Sequence, residues 1–286
     1  MIIEKASAKL NLNLHLLPKK LDNNFYPVRF INCQIDLSDD LSFQKIKNKI
    51  VLITDDKELP LGMDNLIYKT AHLFKKLIGN NELGVKINLK KRIPIKAGFG
   101  GGSSDAAATI KGLEKLWEKK LNDSQKKYLA SKLGKDVFYF LKEGLCQVSD
   151  DGSLVNKLAY KIPNLYLIII IPKIKKPSTG WMYNNLNLKS IGRNLKKINV
   201  LEKAIIKQDK EEILSSLFND FEDTVIKLFP IVKEIKNDMI KAGAINTLLA
   251  GSGLSMTGFF TEKIKMSSAL KKLKTKHKNI IWTKTK

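Results

Sequence analysis

Apolar and polar positions alternate without a break from Ala8 to Leu16. Ala8, Leu10, Leu12, Leu14 and Leu16 share one face, and Lys9, Asn11, Asn13 and His15 share the other. A period of two predicts a β-strand with its polar face toward solvent, where Asn13 and His15 are expected. Val85-Lys86-Ile87-Asn88-Leu89 repeats the pattern and predicts a second strand. The unbroken apolar run from Leu165 to Ile171 lies between Pro163 and Pro172, which predicts a buried strand; it is too short to span a bilayer. Helical spacing appears in Leu66, Ile67, Ala71, Phe74, Leu77 and Ile78, with Asp64 placed as the N-cap. It recurs in Ile110, Leu113, Leu116 and Trp117, predicting a helix that runs to about Lys120, followed by a short helix over 124–133. Further helical patterns cover 200–217 and 220–242, and two strands flank a Gly-Ser-Gly turn between Asn246 and Phe260. Composition shifts near Leu154–Pro163, which predicts two domains, 1–155 and 156–286.

Between the strand at 85–89 and the helix after 104 runs Ile93-Pro94-Ile95-Lys96-Ala97-Gly98-Phe99-Gly100-Gly101-Gly102-Ser103-Ser104-Asp105-Ala106-Ala107-Ala108. Glycines let the backbone curl its amides around an anion, and the first turn of a helix offers unpaired N–H groups and the positive end of the macrodipole. Ser103 and Ser104 are placed to touch a phosphate or its magnesium. The pattern predicts a phosphate-binding loop, with a purely steric turn as the plainer explanation. Two common phosphate loops are excluded by the letters. Gly134-Lys135 continues into Asp136 where the Walker pattern needs Ser or Thr, and Ser103 stands where the dinucleotide fingerprint needs its third glycine. Protein-kinase signatures are absent.

The net charge of +23 over 286 residues raises the question of nucleic acid, but the lysines are spread along the whole chain. Only the segment 271–286 is densely basic, and Ile280, Ile281 and Trp282 interrupt it. The expected partner is therefore a small anionic substrate, with no nucleic acid and no membrane. Cys33 and Cys146 form neither a metal-type spacing nor a disulfide framework, three histidines are scattered, and no signal-peptide core opens the chain. A cytoplasmic protein, monomer or homodimer, is expected.

The glycine-rich stretch resembles the phosphate loop of the GHMP kinases, in the form Pro-x-x-Ala-Gly-x-Gly-Gly-Gly-Ser-Ser-Asp-Ala-Ala. Other segments follow the family in order across nearly the whole chain: Ala8-Lys9-Leu10-Asn11, Asp64-Asn65-Leu66, Gly134-Lys135-Asp136-Val137 and Gly251-Ser252-Gly253. The strand entry Ile35-Asp36-Leu37-Ser38-Asp39-Asp40-Leu41 also fits. The resemblance implies an α+β, two-domain fold, with an N-terminal domain like domain 2 of ribosomal protein S5 and a ferredoxin-like C-terminal domain. It implies ATP and magnesium as cofactors, Pro94–Ser104 and Asn65 at the nucleotide, and Asp136 and Lys9 as the catalytic pair. Magnesium is expected on the phosphates, with Ser104 as its nearest side chain. Asp105 is expected in the first helical turn, in a structural or magnesium-neighbour role.

Within the family the loop is most like that of enzymes that phosphorylate an alcohol carried on a cytidine diphosphate. That likeness implies substrate contacts from Asn11, Phe25, Tyr26, Tyr183, Gly251, Ser252 and Gly253. Here the sequence departs from the family: Phe25-Tyr26 replaces the usual Tyr-His facing the base, and Phe138 replaces a proline after Asp136. Phe25 retains a stacking face and Tyr26 a hydrogen-bond donor. Another member of the family, acting on a mevalonate-route alcohol or homoserine, is the alternative; a non-catalytic basic binding protein is a more distant one.

Overall fold

The computed structural model describes residues 1–21, 26–189 and 191–286. In chain order the elements begin with β1 (Ile2–Leu16), β2 (Val28–Lys47), β3 (Ile50–Thr54), α1 (Leu66–Ile78) and β4 (Leu83–Lys90). Next come α2 (Gly101–Leu116), α3 (Asp123–Leu133), α4 (Lys135–Lys142), β5 (Cys146–Ser149), β6 (Leu154–Lys157) and β7 (Tyr166–Ile170). The chain continues with α5 (Thr179–Asn184), α6 (Lys196–Ile206), α7 (Lys210–Ser215), β8 (Phe218–Asn219), α8 (Glu222–Leu228) and α9 (Pro230–Ala242). It closes with β9 (Asn246–Leu249), β10 (Met256–Phe260), α10 (Lys263–Lys274) and β11 (Ile280–Lys284).

Two compact units divide the chain, and both are discontinuous. The first comprises 1–8, 37–96 and 100–143; the second comprises 9–36, 97–99 and 144–286. The cut expected between 155 and 156 lies inside the second.

In the first unit β3 pairs parallel with β4, and β4 antiparallel with the C-terminal half of β2. Helices α1 and α2 pack beside each other, with Phe74 meeting Trp117 edge to face at 5.4 Å. Asn65, one residue past the expected cap, caps α1: its Oδ1 accepts the Ile67 N–H at 2.9 Å. Helix α2 stops at Leu116, short of Lys120. The Trp117 ring is buried there, its indole N–H reaches the Gly84 carbonyl, and Glu118 turns the chain at φ +54°.

In the second unit β1 lies between β2 and β8. A separate sheet has the order β11-β7-β10-β9, with β7 antiparallel to both neighbours and buried from Leu167 to Ile170. The strand expected at 165–171 is thus an inner one. Each of the two long helical patterns breaks in the middle. Gln208 at φ +57° precedes the Asp209 cap of α7, and Pro230 opens α9.

The polar face of β1 is not at the surface. Asn13 and His15 are both fully buried. The Ile31 N–H donates to Asn13 Oδ1 at 2.7 Å, and the His15 ring stacks on Phe218 at 5.0 Å. An inner strand has neighbours along both edges, and here both of its faces are covered as well. Burial pushes the His15 imidazole down to about 4, with Lys197 and Arg29 adding to the effect, so the ring is neutral at physiological pH.

Candidate active site

The loop between β4 and α2 is held by alternate apolar anchors. Ile93, Ala97 and Phe99 are buried, while Ile95 and Lys96 stay exposed. Backbone at positive φ recurs at Lys96 (+57°), Gly98 (+93°) and Gly100 (+71°), and Gly100 is the N-cap of α2 without a side-chain cap bond. The Ser104 N–H already bonds the Gly100 carbonyl at 2.9 Å. By helix geometry the amides of Gly101, Gly102 and Ser103 have no intrahelical acceptor, and they lie at the positive end of a sixteen-residue helix. Free amides at a positive helix end are the backbone features that the predicted phosphate loop requires.

The two serines have different surroundings. The buried Ser104 hydroxyl donates to the Ser7 carbonyl at 2.7 Å, fastening α2 to β1. Ser103 is half-buried, and Gly134 lies beside it: a Cβ built on Gly134 would stand 3.6 Å from Ser103 Oγ. The Ser104 hydroxyl, expected nearest to magnesium, thus spends its proton on the strand, and Ser103 is the less buried of the two. Gly134 ends α3 and opens α4, which places Asp136, half-buried, in the first turn of α4.

Asp105 is not in the first turn of α2 but one residue beyond it, and it is buried. Lys91 Nζ donates to Asp105 Oδ2 at 2.7 Å and to Asp39 Oδ2 at 2.5 Å. The other Asp39 oxygen accepts the N–H groups of Arg92 (2.5 Å) and Ile93 (2.8 Å). This clamp joins the entry of the loop to the helix at its exit. It also touches the mouth, since a Cβ on Gly101 would lie 3.0 Å from Lys91 Nζ. Burial, opposed by Lys91 and reinforced by Asp39, pushes the Asp105 carboxyl up to about 8.

In the second unit the buried Lys9 ammonium donates to Asn11 Oδ1 at 2.7 Å, and Asn11 Nδ2 donates to Asn32 Oδ1 at 2.7 Å. The Lys9 backbone N–H bonds the Phe99 carbonyl at 3.0 Å, so this network sits against the 97–99 part of the loop. The Gly251-Ser252-Gly253 turn meets the same segment. A Cβ on Gly98 would be 2.5 Å from the Ala250 carbonyl oxygen, and one on Gly251 would be 3.7 Å from the Gly98 oxygen. Asn219 pins the turn by donating to the Leu249 and Gly251 carbonyls at 2.9 and 2.7 Å. Tyr26 and Tyr183 lie parallel, 6.4 Å apart with 6° between planes, and Tyr183 rests edge-on against Phe221. Phe25 lies outside the described residues. Asn65 is placed near the loop by Leu66, whose Cδ1 would be 3.3 Å from a Cβ on Gly102, but its amide is engaged by the helix cap and the Pro60 carbonyl.

Gly98→Ala is expected to destabilise the loop by about 1–3 kcal/mol, because the methyl group would meet a carbonyl oxygen and φ +93° disfavours any side chain. Urea unfolding and nucleotide titration check this; an alanine variant with wild-type stability and nucleotide affinity would contradict it.

Comparison with known proteins agrees with this geometry. Residues 65–144 match the family model of the GHMP kinases N terminal domain. The 4-diphosphocytidyl-2-C-methyl-D-erythritol kinase of Thermoanaerobacter pseudethanolicus is 34% identical over 284 residues, covering 98% of this chain and 95% of that one. The chain belongs to the GHMP kinases, among the 4-diphosphocytidyl-2-C-methyl-D-erythritol kinases. The kinase of that name from Enterococcus faecalis is 35% identical over 253 residues, covering 88% of this chain and 87% of its own. A crystal structure of a 4-(cytidine 5'-diphospho)-2C-methyl-D-erythritol kinase superposes with a TM-score of 0.85 at 26% identity, over 99% of both chains. The Methanococcus jannaschii mevalonate kinase shares the fold, with a TM-score of 0.77 at 18% identity, over 100% of this chain and 98% of that one. The α+β GHMP kinase fold expected from the sequence is therefore the fold of this kinase-family chain.

Among the described residues the site lacks a group of three His, Cys, Asp or Glu able to hold a metal ion, and no helix is long and apolar enough to cross a membrane. The sequence did not single out Asn32, Lys91, Asp39 or Asn219. The pair Lys91-Arg92 ahead of Ile93-Pro94 was a visible sign of a charge at the loop entry, but its partners lie far away in sequence.

Proposed function

We propose that this kinase transfers the γ-phosphoryl group of ATP to the 2-hydroxyl of 4-diphosphocytidyl-2-C-methyl-D-erythritol, a step in non-mevalonate isoprenoid precursor synthesis. The observation that carries the reading is the glycine-rich mouth of α2, in a chain whose full-length relatives bear that kinase's name. Pro94–Ser104 hold the triphosphate through backbone amides, with Asn65 at the nucleotide. The bond from the γ-phosphorus to its bridging oxygen breaks as the acceptor oxygen bonds to phosphorus, and ADP leaves. Asp136 orients the acceptor hydroxyl and takes its proton. The Lys9 ammonium, fixed by Asn11, offsets charge on the transferred group. Magnesium, when bound, neutralises charge on the triphosphate oxygens; Ser103 is the hydroxyl this chain offers beside it. Asn11 and the Gly251–Gly253 turn contact the acceptor, and the parallel Tyr26 and Tyr183 rings take its base together with Phe25. The reading assigns ATP binding to domain 1–155 and pairs it with a second domain, 156–286, in the cytoplasm, as a monomer or homodimer without nucleic acid.

ADP release measured across a panel of alcohols tests the assignment. Turnover is expected with the cytidine-diphospho alcohol and inhibition by free cytidine nucleotides. Faster turnover of mevalonate-route alcohols or homoserine, with no cytidine competition, would overturn it.

A further inference from the structure

The segment joining β7 to α5 carries a cation for which the reaction above has no use. Lys176 is half-buried, its Nζ donates to Ser252 Oγ, and Thr179 Oγ1 stands 3.5 Å from that same hydroxyl. Among the described residues no carboxylate forms an ion pair with Lys176, and Lys173 and Lys175 on the same segment are exposed. Burial alone pushes the ammonium down to about 8; no neighbouring charge contributes. A partly desolvated cation without a counter-charge is unfavourable unless a ligand supplies the missing anion.

The position of the group indicates which anion. Ser252 follows Gly251, whose built Cβ would lie 3.7 Å from the Gly98 oxygen and 4.0 Å from Asn11 Oδ1. The ammonium and two hydroxyls therefore adjoin the loop and the Lys9–Asn11 network. Tyr183, face to face with Tyr26, lies seven residues further along the same segment. Within one stretch of chain a cluster of donors for an anion, at Lys176 and Thr179, is followed by an aromatic surface for a base at Tyr183. A nucleoside-diphosphate-linked acceptor carries a group for each, a base and a diphosphate.

We propose that Lys176, with Ser252 and Thr179, forms the subsite that holds the diphosphate oxygens of the acceptor. The inference rests on the kinase reading above and adds the residues that recognise the charged part of the substrate. An ammonium bonded to phosphate oxygen makes a charge-assisted hydrogen bond, among the stronger polar contacts available.

Steady-state kinetics of the wild type, Lys176→Gln and Lys176→Arg, with acceptor and ATP varied separately, test the proposal. Lys176→Gln is expected to raise KM for the acceptor about tenfold or more, the scale of one lost charged hydrogen bond, and to leave KM for ATP within about twofold. Lys176→Arg recovers most of the loss. In the wild type kcat/KM for the acceptor falls above about pH 8, where the ammonium loses its proton, and in Lys176→Arg that fall is absent. A rise in KM for ATP alone would move the subsite to the nucleotide and overturn the proposal. So would unchanged kinetics in Lys176→Gln, or a pH profile common to all three proteins. Calorimetric binding of CDP separates this inference from the kinase reading. CDP affinity that depends on Lys176, in a protein that turns over no cytidine-linked alcohol, would sink the reading and keep the subsite. CDP affinity independent of Lys176 would sink the subsite, whatever the enzyme turns over.

Discussion

Replacing Asp136 with asparagine is expected to lower turnover at least about a hundredfold while ATP still binds, the usual scale for loss of a positioned acid–base group. Asparagine keeps the size of the side chain and one acceptor oxygen but cannot take a proton. Asp136 lies in the first turn of α4, half-buried, and the free backbone amides at the start of α2 do not depend on it. The substitution should therefore separate chemistry from nucleotide binding. Single-turnover phosphoryl transfer together with equilibrium ATP titration checks this. Unchanged turnover would remove Asp136 from the mechanism, and loss of both activities with a lowered unfolding midpoint would make it structural. Lys9→Met provides the companion measurement. It removes the buried ammonium at the Asn11–Asn32 network and is expected to reduce the rate of transfer more than the affinity for ATP.

The backbone of the glycine-rich loop was legible in the sequence because it needs residues that are rare elsewhere. Positive φ at Gly98 and Gly100 and the close approach at Gly101 each call for glycine, and four glycines in five positions have few other uses. The strand period of β1 was equally plain. What covers its polar face was not, because alternation reports a period of two and says nothing of the layers around the strand; Asn13 and His15 proved to be buried. Which serine faces the mouth depends on about 100° of helix rotation, which a run of adjacent serines cannot reveal. The clamp on the loop entry was hidden for another reason. Lys91 meets partners 52 and 14 residues away in sequence, and the pin on the Gly-Ser-Gly turn comes from Asn219, some thirty residues upstream. Local pattern carries backbone requirements well and long-range polar pairing poorly.

That clamp carries the second large expectation. Lys91→Met should destabilise the protein by about 3–5 kcal/mol, the range for breaking a buried ion pair by removing one partner. Methionine fills much of the same volume but leaves Asp39 and Asp105 facing each other without a cation. The three members should not be equivalent. Asp39 accepts two backbone N–H groups as well as the ammonium, so Asp39→Asn should cost about 2–3 kcal/mol through weakened charge-assisted bonds. Asp105, pushed up to about 8, already holds a proton for much of the time near neutral pH, so Asp105→Asn should cost about 1 kcal/mol or less. Urea unfolding of the three variants reads this order directly. The same series should raise KM for ATP in parallel with the loss of stability, because the clamp fixes the distance between the loop entry at 91–93 and the helix that opens at Gly101. Equal effects at all three positions, or a Lys91→Met variant within about 1 kcal/mol of wild type, would mean that the loop is held by its apolar anchors Ile93, Ala97 and Phe99 instead.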